Sequence, residues 1–110
     1  MKFIAALPFT LAALIAAAPA VASEDLAKQK ACLTCHAMQT KVIGPSFADI
    51  AAKYKAEKDA DTKLAGKIRA GGSGVWGQIP MPPNAAVSEA EAKTLAKWVL
   101  TVAAAAPAKK

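Results

Sequence analysis

The chain has 110 residues, two cysteines, a single histidine and a formal net charge of +6. That length supports one small domain rather than several. Two thiols and one imidazole fall short of the four protein ligands that a structural zinc site takes.

Lys2 is followed by an apolar run from Phe3 through Ala18 and then by "APAVAS". A positive start, a short apolar core and small residues at Ala20 and Ala22 form the pattern of a secretory signal peptide, cleaved near Ser23 or Glu24. A membrane anchor fits less well, because Pro8 and Pro19 interrupt the run and its length is short for a span. The expectation is a leader over 1–22 and one exported domain over 23–110, without stable membrane insertion. That domain lies near the size at which a hydrophobic core alone is marginal. Removal of Lys2 leaves thirteen basic against eight acidic residues, about +5. Nucleic acid is a poor partner for an exported protein, so acidic protein surfaces are the expected partners of this charge.

Leu26, Lys30 and Leu33 follow i, i+4, i+7 spacing, which predicts a first helix from Asp25 into "ACLTCHAM" at 31–38. "IGPS" then breaks the chain. Ser46 with Asp49 resembles a capping box, and Phe47, Ile50, Ala51 and Tyr54 form one apolar face of a second helix. A third short helix is predicted around Leu64 and Ile68, stopped by Gly71 and Gly72. Four of the six glycines fall between Gly71 and Gly77, marking a tight loop. Beyond it, Pro80, Pro82 and Pro83 fix backbone angles around Met81 and make a stiff extended strap. Ser88 and Glu91 form a second capping box, and Ala92, Leu95, Val99 and Val102 line the inward face of a terminal helix. No alternating strand pattern competes, and the tail "AAAAPAKK" is expected to fray. The fold class is therefore all-α, about four short helices joined by long loops.

Cys32, Cys35 and His36 stand within five positions. A disulfide between the cysteines would close a loop too short to restrain much of the unfolded chain, and would leave His36 without a role. A thioredoxin-like pair belongs beside a strand–helix–strand pattern, which is missing. A copper site from Cys32, Cys35, His36 and Met38 has suitable soft ligands but crowds them into seven residues. C-x-x-C-H matches covalent haem attachment, with two thiols on the vinyl groups and the adjacent imidazole under the iron. The sixth ligand follows by elimination. No second histidine exists, Met1 leaves with the leader, and Met38 is too near His36 to reach the other face, so Met81 remains; lysine or the amino terminus could ligate instead, but a thioether suits a small, dry pocket better. A planar cofactor would also supply core that four short helices lack. Iron filled on both faces has no position for substrate, so the expectation is a carrier and not an enzyme. The alternative is a haem-based ligand binder or peroxidase-like protein in which Met81 dissociates; a haem domain anchoring a larger complex is a third.

With C-x-x-C-H, "IGP", "GVWGQIPMPPN" and "LAKWVL" in place, the chain resembles the small bacterial class I cytochromes c of the cytochrome c-551 type. The resemblance covers essentially the whole domain after the leader. It implies the small cytochrome c fold around one covalently bound haem c, and a periplasmic one-electron carrier between respiratory complexes and a terminal reductase or oxidase. It further implies thioethers at Cys32 and Cys35, axial ligands at His36 and Met81, and a Pro45 carbonyl that accepts the His36 ring N–H. Trp76 then matches the tryptophan bonded to a haem propionate, and Asn84 the asparagine beside the methionine sulfur. Lys67 stands where relatives often have an arginine near a propionate, and it lacks the planar fork. Lys28, Lys30 and Lys41 flank the haem motif and are expected to rim the exposed edge, with Glu57, Asp59 and Asp61 away from it. A monomer is expected.

Overall fold

The computed structural model describes Pro8 and residues 20–104. The proposed leader over 1–22 lies almost wholly outside the described residues, as does the end of the tail. Among the described residues the fold is all-α: α1 Ala20–Gln29, a 3-10 turn Cys32–Thr34, α2 Phe47–Tyr54, α3 Ala60–Ala70 and α4 Glu89–Leu100. Two isolated antiparallel bridges, His36 with Lys41 and Gly72 with Met81, are the only extended pairings there. No helix among these residues is long and apolar enough to cross a membrane.

The first helix differs from its expected bounds. It covers Ala20–Gln29 instead of running on into the cysteine motif. Ala31 takes the left-handed conformation, with φ 61°, and this turns the chain into a separate 3-10 turn. A non-glycine residue pays a steric cost there, which no residue type at position 31 announces.

The second helix begins where the broken segment "IGPS" ends, and its first amides are all satisfied. Phe47 N–H donates to the Ala37 carbonyl at 2.9 Å and Ala48 N–H to Met38 at 3.0 Å. Asp49 N–H donates to Ser46 Oγ at 3.0 Å. These are the orphan donors of a helix N-terminus, and meeting them with carbonyls of the cysteine motif fastens α2 to it. Only half of the expected capping box forms here, since the cap runs from Ser46 alone. Aspartate is one methylene shorter than glutamate for the return bond. At α4 both halves form, Ser88 Oγ accepting from Glu91 N–H and Glu91 accepting from Ser88 N–H.

α3 ends as expected, with Gly71 at φ 73° carrying the chain out of the helix. α4 is the centre of the packing and touches α1, α2 and α3. Ala92, Leu95 and Val99 are buried on it, joined by Ala96 and Trp98, while Val102, expected on the same helix, is buried just beyond its end at Leu100. Seven of the fifteen buried apolar residues in the described chain are alanines. Small side chains let helices approach closely, yet they supply little apolar volume. The protein core is therefore thin, and the space beside it is wide.

Candidate functional site

That space is a cavity of about 410 Å³ walled by the cysteine motif, α2, the end of α3, the glycine loop and strap, and α4. The seven residues expected to bind a cofactor all reach it: Cys32, Cys35, His36 and Pro45 from the first half, Trp76, Met81 and Asn84 from the second. Lys67 lines it as well. Phe47, Tyr54, Leu95, Trp98 and Val99 add an apolar wall, and the size is ordinary for a cofactor pocket.

Local hydrogen bonding sets the motif. Cys35 N–H and His36 N–H both donate to the Cys32 carbonyl, at 3.3 and 3.0 Å. This tight turn brings both thiols and the imidazole to one wall. Both cysteines are free and half-buried. Burial pushes the Cys32 thiol up from its ordinary value, against a smaller opposing effect of a backbone hydrogen bond.

The imidazole is held by name. His36 Nδ1 lies 2.7 Å from the Pro45 carbonyl oxygen. A carbonyl can only accept, so Nδ1 carries a proton and donates, and in the neutral ring Nε2 then keeps a free lone pair. This is the second-shell device that prepares a histidine for a metal. Phe47 stacks on the same ring, with centroids 5.3 Å apart and planes 24° from parallel. Trp98 meets Phe47 edge-on at 5.1 Å.

Met81 is placed by different means. In the segment 80–83 it carries the only amide N–H, since its neighbours are prolines. That N–H donates to the Gly72 carbonyl at 2.8 Å, and Gly72 N–H returns a bond to the Met81 carbonyl at 3.0 Å. A Cβ on Gly71 would collide with the Met81 carbonyl oxygen and come within 2.9 Å of the backbone of Pro82 and Pro83. Asn84 completes the fastening: its backbone N–H donates to Arg69 at 3.2 Å and its side-chain Nδ2 to Ile68 at 2.8 Å. The end of α3 thus supplies carbonyls that hold the strap. Met38 instead packs against the helix core and does not line the cavity.

At the mouth, Trp76 is 40% exposed, and Lys53 Nζ lies 5.7 Å from its ring centroid. Val42, Ile43, Val75 and Ile79 are also exposed. The lysine rim is less free than expected, since Lys28 pairs with Glu24 at 3.7 Å and Lys30 with Glu91 at 3.3 Å. Glu57 pairs with Lys63 and Asp61 with Lys93. Sequence reasoning missed three contributors: Phe47 as a partner of His36, Trp98 behind it, and Lys53 over Trp76. Each depends on contacts between segments, and only the apolar character of Phe47 was visible beforehand.

Two thiols on one turn, an imidazole with Nε2 bare, a thioether from the strap and a large apolar cavity form a donor set that fits a c-type haem. These features define a small all-α haem domain. A family model described as Cytochrome c matches residues 20–103. The chain is 58% identical over 94 residues to cytochrome c-552 of Nitrosomonas europaea, covering 86% of this chain and 91% of that protein. It is 62% identical over 78 residues to cytochrome c-551 of Azotobacter vinelandii, covering 71% of this chain and 94% of that one. The crystal structure of wild-type Nitrosomonas europaea cytochrome c552 superposes with a TM-score of 0.71 at 62% identity, over 72% of this chain and 98% of the other. The chain belongs to the cytochrome c family. It carries c-type haem bound covalently through Cys32 and Cys35, and its work is electron transfer through that haem.

Proposed function

We propose that this chain is a periplasmic one-electron carrier in which His36 Nε2 and Met81 Sδ are the two axial ligands of the haem iron. The reading rests on one observation above all. His36, its Nδ1 proton tied to Pro45, and Met81, pinned to Gly72, line one cavity with both cysteines. The bound haem supplies an Fe(III)/Fe(II) couple, whose potential histidine–methionine ligation raises. The protein's part is to hold both donors still. Pro45 keeps the imidazole in one tautomer, and the bridge to Gly72 keeps the strap at one distance, so little rearrangement accompanies the change of charge. The apolar wall of Phe47, Leu95 and Trp98 excludes water and disfavours the more positive iron. Trp76 at the mouth supplies an N–H for a propionate. The leader proposed for 1–22 supports export to the periplasm.

The partner follows from the mouth. Ile43, Val75 and Ile79 expose apolar surface around it, with Lys53 beside Trp76 and Lys67 on the lining. A redox protein with an acidic docking surface suits this charge, steered by long-range attraction. Because Lys28 and Lys30 already have carboxylate partners, the unpaired share of the field is modest. The transfer rate with an acidic partner should fall as salt rises toward 0.1 M, where the screening length is about 10 Å. A rate indifferent to salt would leave docking to the apolar mouth alone.

The ligation is tested by absorption. Oxidised protein should be six-coordinate and low-spin, with a methionine–iron charge-transfer band. Met81→Ala should abolish that band and admit cyanide or imidazole, whereas Met38→Leu should leave it unchanged. A high-spin resting spectrum in the unmutated protein would point instead to a ligand-binding or peroxidase-like haem.

A further inference from the structure

We propose that Gly44 and Phe47 act with Pro45 as a grip that fixes the rotation of the His36 imidazole, making them positioning residues for the iron ligand. The inference rests on His36 being that ligand. The Pro45 bond by itself restrains one corner of the ring, at Nδ1. That one contact does not by itself hold the opposite edge of the ring.

Two further contacts restrain the rest of the ring. A Cβ built on Gly44 would lie 2.7 Å from His36 Cε1, 3.0 Å from Nδ1 and 3.3 Å from Nε2. Real Cβ atoms do not approach so closely, so the ring occupies space that only glycine leaves open. Gly44 cannot retreat easily, because its N–H donates to the Cys35 carbonyl at 2.7 Å. Its carbonyl also accepts from Val42 N–H at 3.3 Å. Phe47 supplies the broad contact, its ring 5.3 Å from the imidazole and 24° from parallel. Phe47 is itself 4% exposed and is backed by Trp98 at 5.1 Å. Its backbone is anchored at Ala37, next to the histidine, by a 2.9 Å bond. Gly44, Pro45 and Phe47 thus grip one ring from the four-residue segment 44–47. The orientation of an axial imidazole sets how the iron orbitals split, so a fixed ring gives one potential and one spectrum.

The test uses holoprotein and compares Gly44→Ala and Phe47→Leu with the unmutated chain. The readouts are the ferric low-spin EPR g values, the reduction potential and the exchange rate of the His36 Nδ1 proton. Gly44→Ala should displace the ring, shift the g values, and lengthen the bond to Pro45. Nδ1 exchange should then quicken roughly tenfold, as for loss of one such hydrogen bond. The potential should rise, since a weaker Nδ1–H bond makes the ligand less basic. Phe47→Leu should keep Nδ1 exchange nearly unchanged but broaden the g values, because the ring gains freedom to rotate. Unchanged g values and exchange in Gly44→Ala would overturn the proposal. If Gly44→Ala yields no holoprotein, Phe47→Leu decides: g values as sharp and as placed as in the unmutated chain would mean Pro45 alone sets the ring. Failure of the underlying ligation shows separately, as a high-spin spectrum in the unmutated protein.

Discussion

His36 and Met81 face one cavity, but the segments that carry them are built on opposite principles. The histidine side is a short loop, half-buried at the ring, that runs into a buried helix. Its loop ends in α2, whose first amides are capped by Ala37 and Met38, and its ring rests on the buried aromatics Phe47 and Trp98. The methionine side is extended and largely exposed, a glycine loop and a proline strap with no helix of its own. It is held by hydrogen bonds to the Gly72, Arg69 and Ile68 carbonyls, two from backbone amides and one from the Asn84 side chain. Side-chain packing fixes one ligand; stiff backbone fixes the other. The lesson is that a short chain with a thin alanine-rich core can still position two donors, provided the second costs little apolar material.

Removing what both sides face should have the largest effect. Cys32→Ser with Cys35→Ser should release haem under acid–organic extraction, where the unmutated protein retains it. The two walls would then enclose an apolar cavity with nothing to fill it, and most helical order should be lost by circular dichroism. The strap side should fail before α2, since α2 is capped and packed on α4 independently. A well-folded haem-free form with an intact strap would mean that the strap side stands as independently as α2.

Gly71→Ala attacks the strap side alone. Gly71 sits at φ 73°, and an added Cβ would run into backbone of Met81, Pro82 and Pro83, not into a side chain that could move aside. Strain in that region costs on the order of 1–3 kcal/mol, and the displaced strap adds to it. Expected results are a lower midpoint in denaturant and a weakened methionine–iron band, with the His36 side unaffected. Gly66→Ala is the control, because nothing lies within 4 Å of a Cβ there. At that helical site alanine should stabilise by up to ~1 kcal/mol. Equal losses from both substitutions would mean that the close approach at Gly71 does not matter.

The same division decides what could be read from the sequence. α2, α3 and α4 were legible because apolar spacing, serine caps and a glycine stop are local signals. The end of α1 was not, since Ala31 adopts φ 61° without the glycine or asparagine that usually marks such a turn. The site residues were legible as chemistry: two thiols, one imidazole and one remaining methionine. What holds them was less so. Asn84 donates to Ile68, and no spacing between positions 68 and 84 predicts that. The stack of Phe47 on His36 and the reach of Lys53 to Trp76 likewise depend on how segments pack. The ion pairs on Lys28 and Lys30 also escaped, because charge counting registers lysines but not their neighbours.

The smallest effect expected concerns the joint between the two sides. Lys30, just before the cysteine motif, donates to the Ala86 carbonyl at 3.0 Å, where the strap ends. Its ammonium also lies 3.3 Å from Glu91 in the first turn of α4. Glu91 is held below the ordinary glutamate range, first by the backbone N–H of Ser88 and then by the Lys30 side chain. A carboxylate depressed in the folded state binds its proton more readily when unfolded. Its contribution to stability is therefore present above the ordinary glutamate value, near 4.3, and is lost as pH falls through the lower folded value. Glu91→Gln should flatten the acid limb of the stability curve and change little at pH 7 beyond the loss of this exposed pair. Ser88→Ala should cost about 1 kcal/mol at neutral pH through the missing cap, and should shrink the acid limb as well, since its backbone geometry sets the largest part of the depression. If acid loosened the glycine loop and strap, read by amide exchange over 72–84, no more in the unmutated protein than in Glu91→Gln, the joint would be a surface contact and the two sides would be coupled through the haem alone.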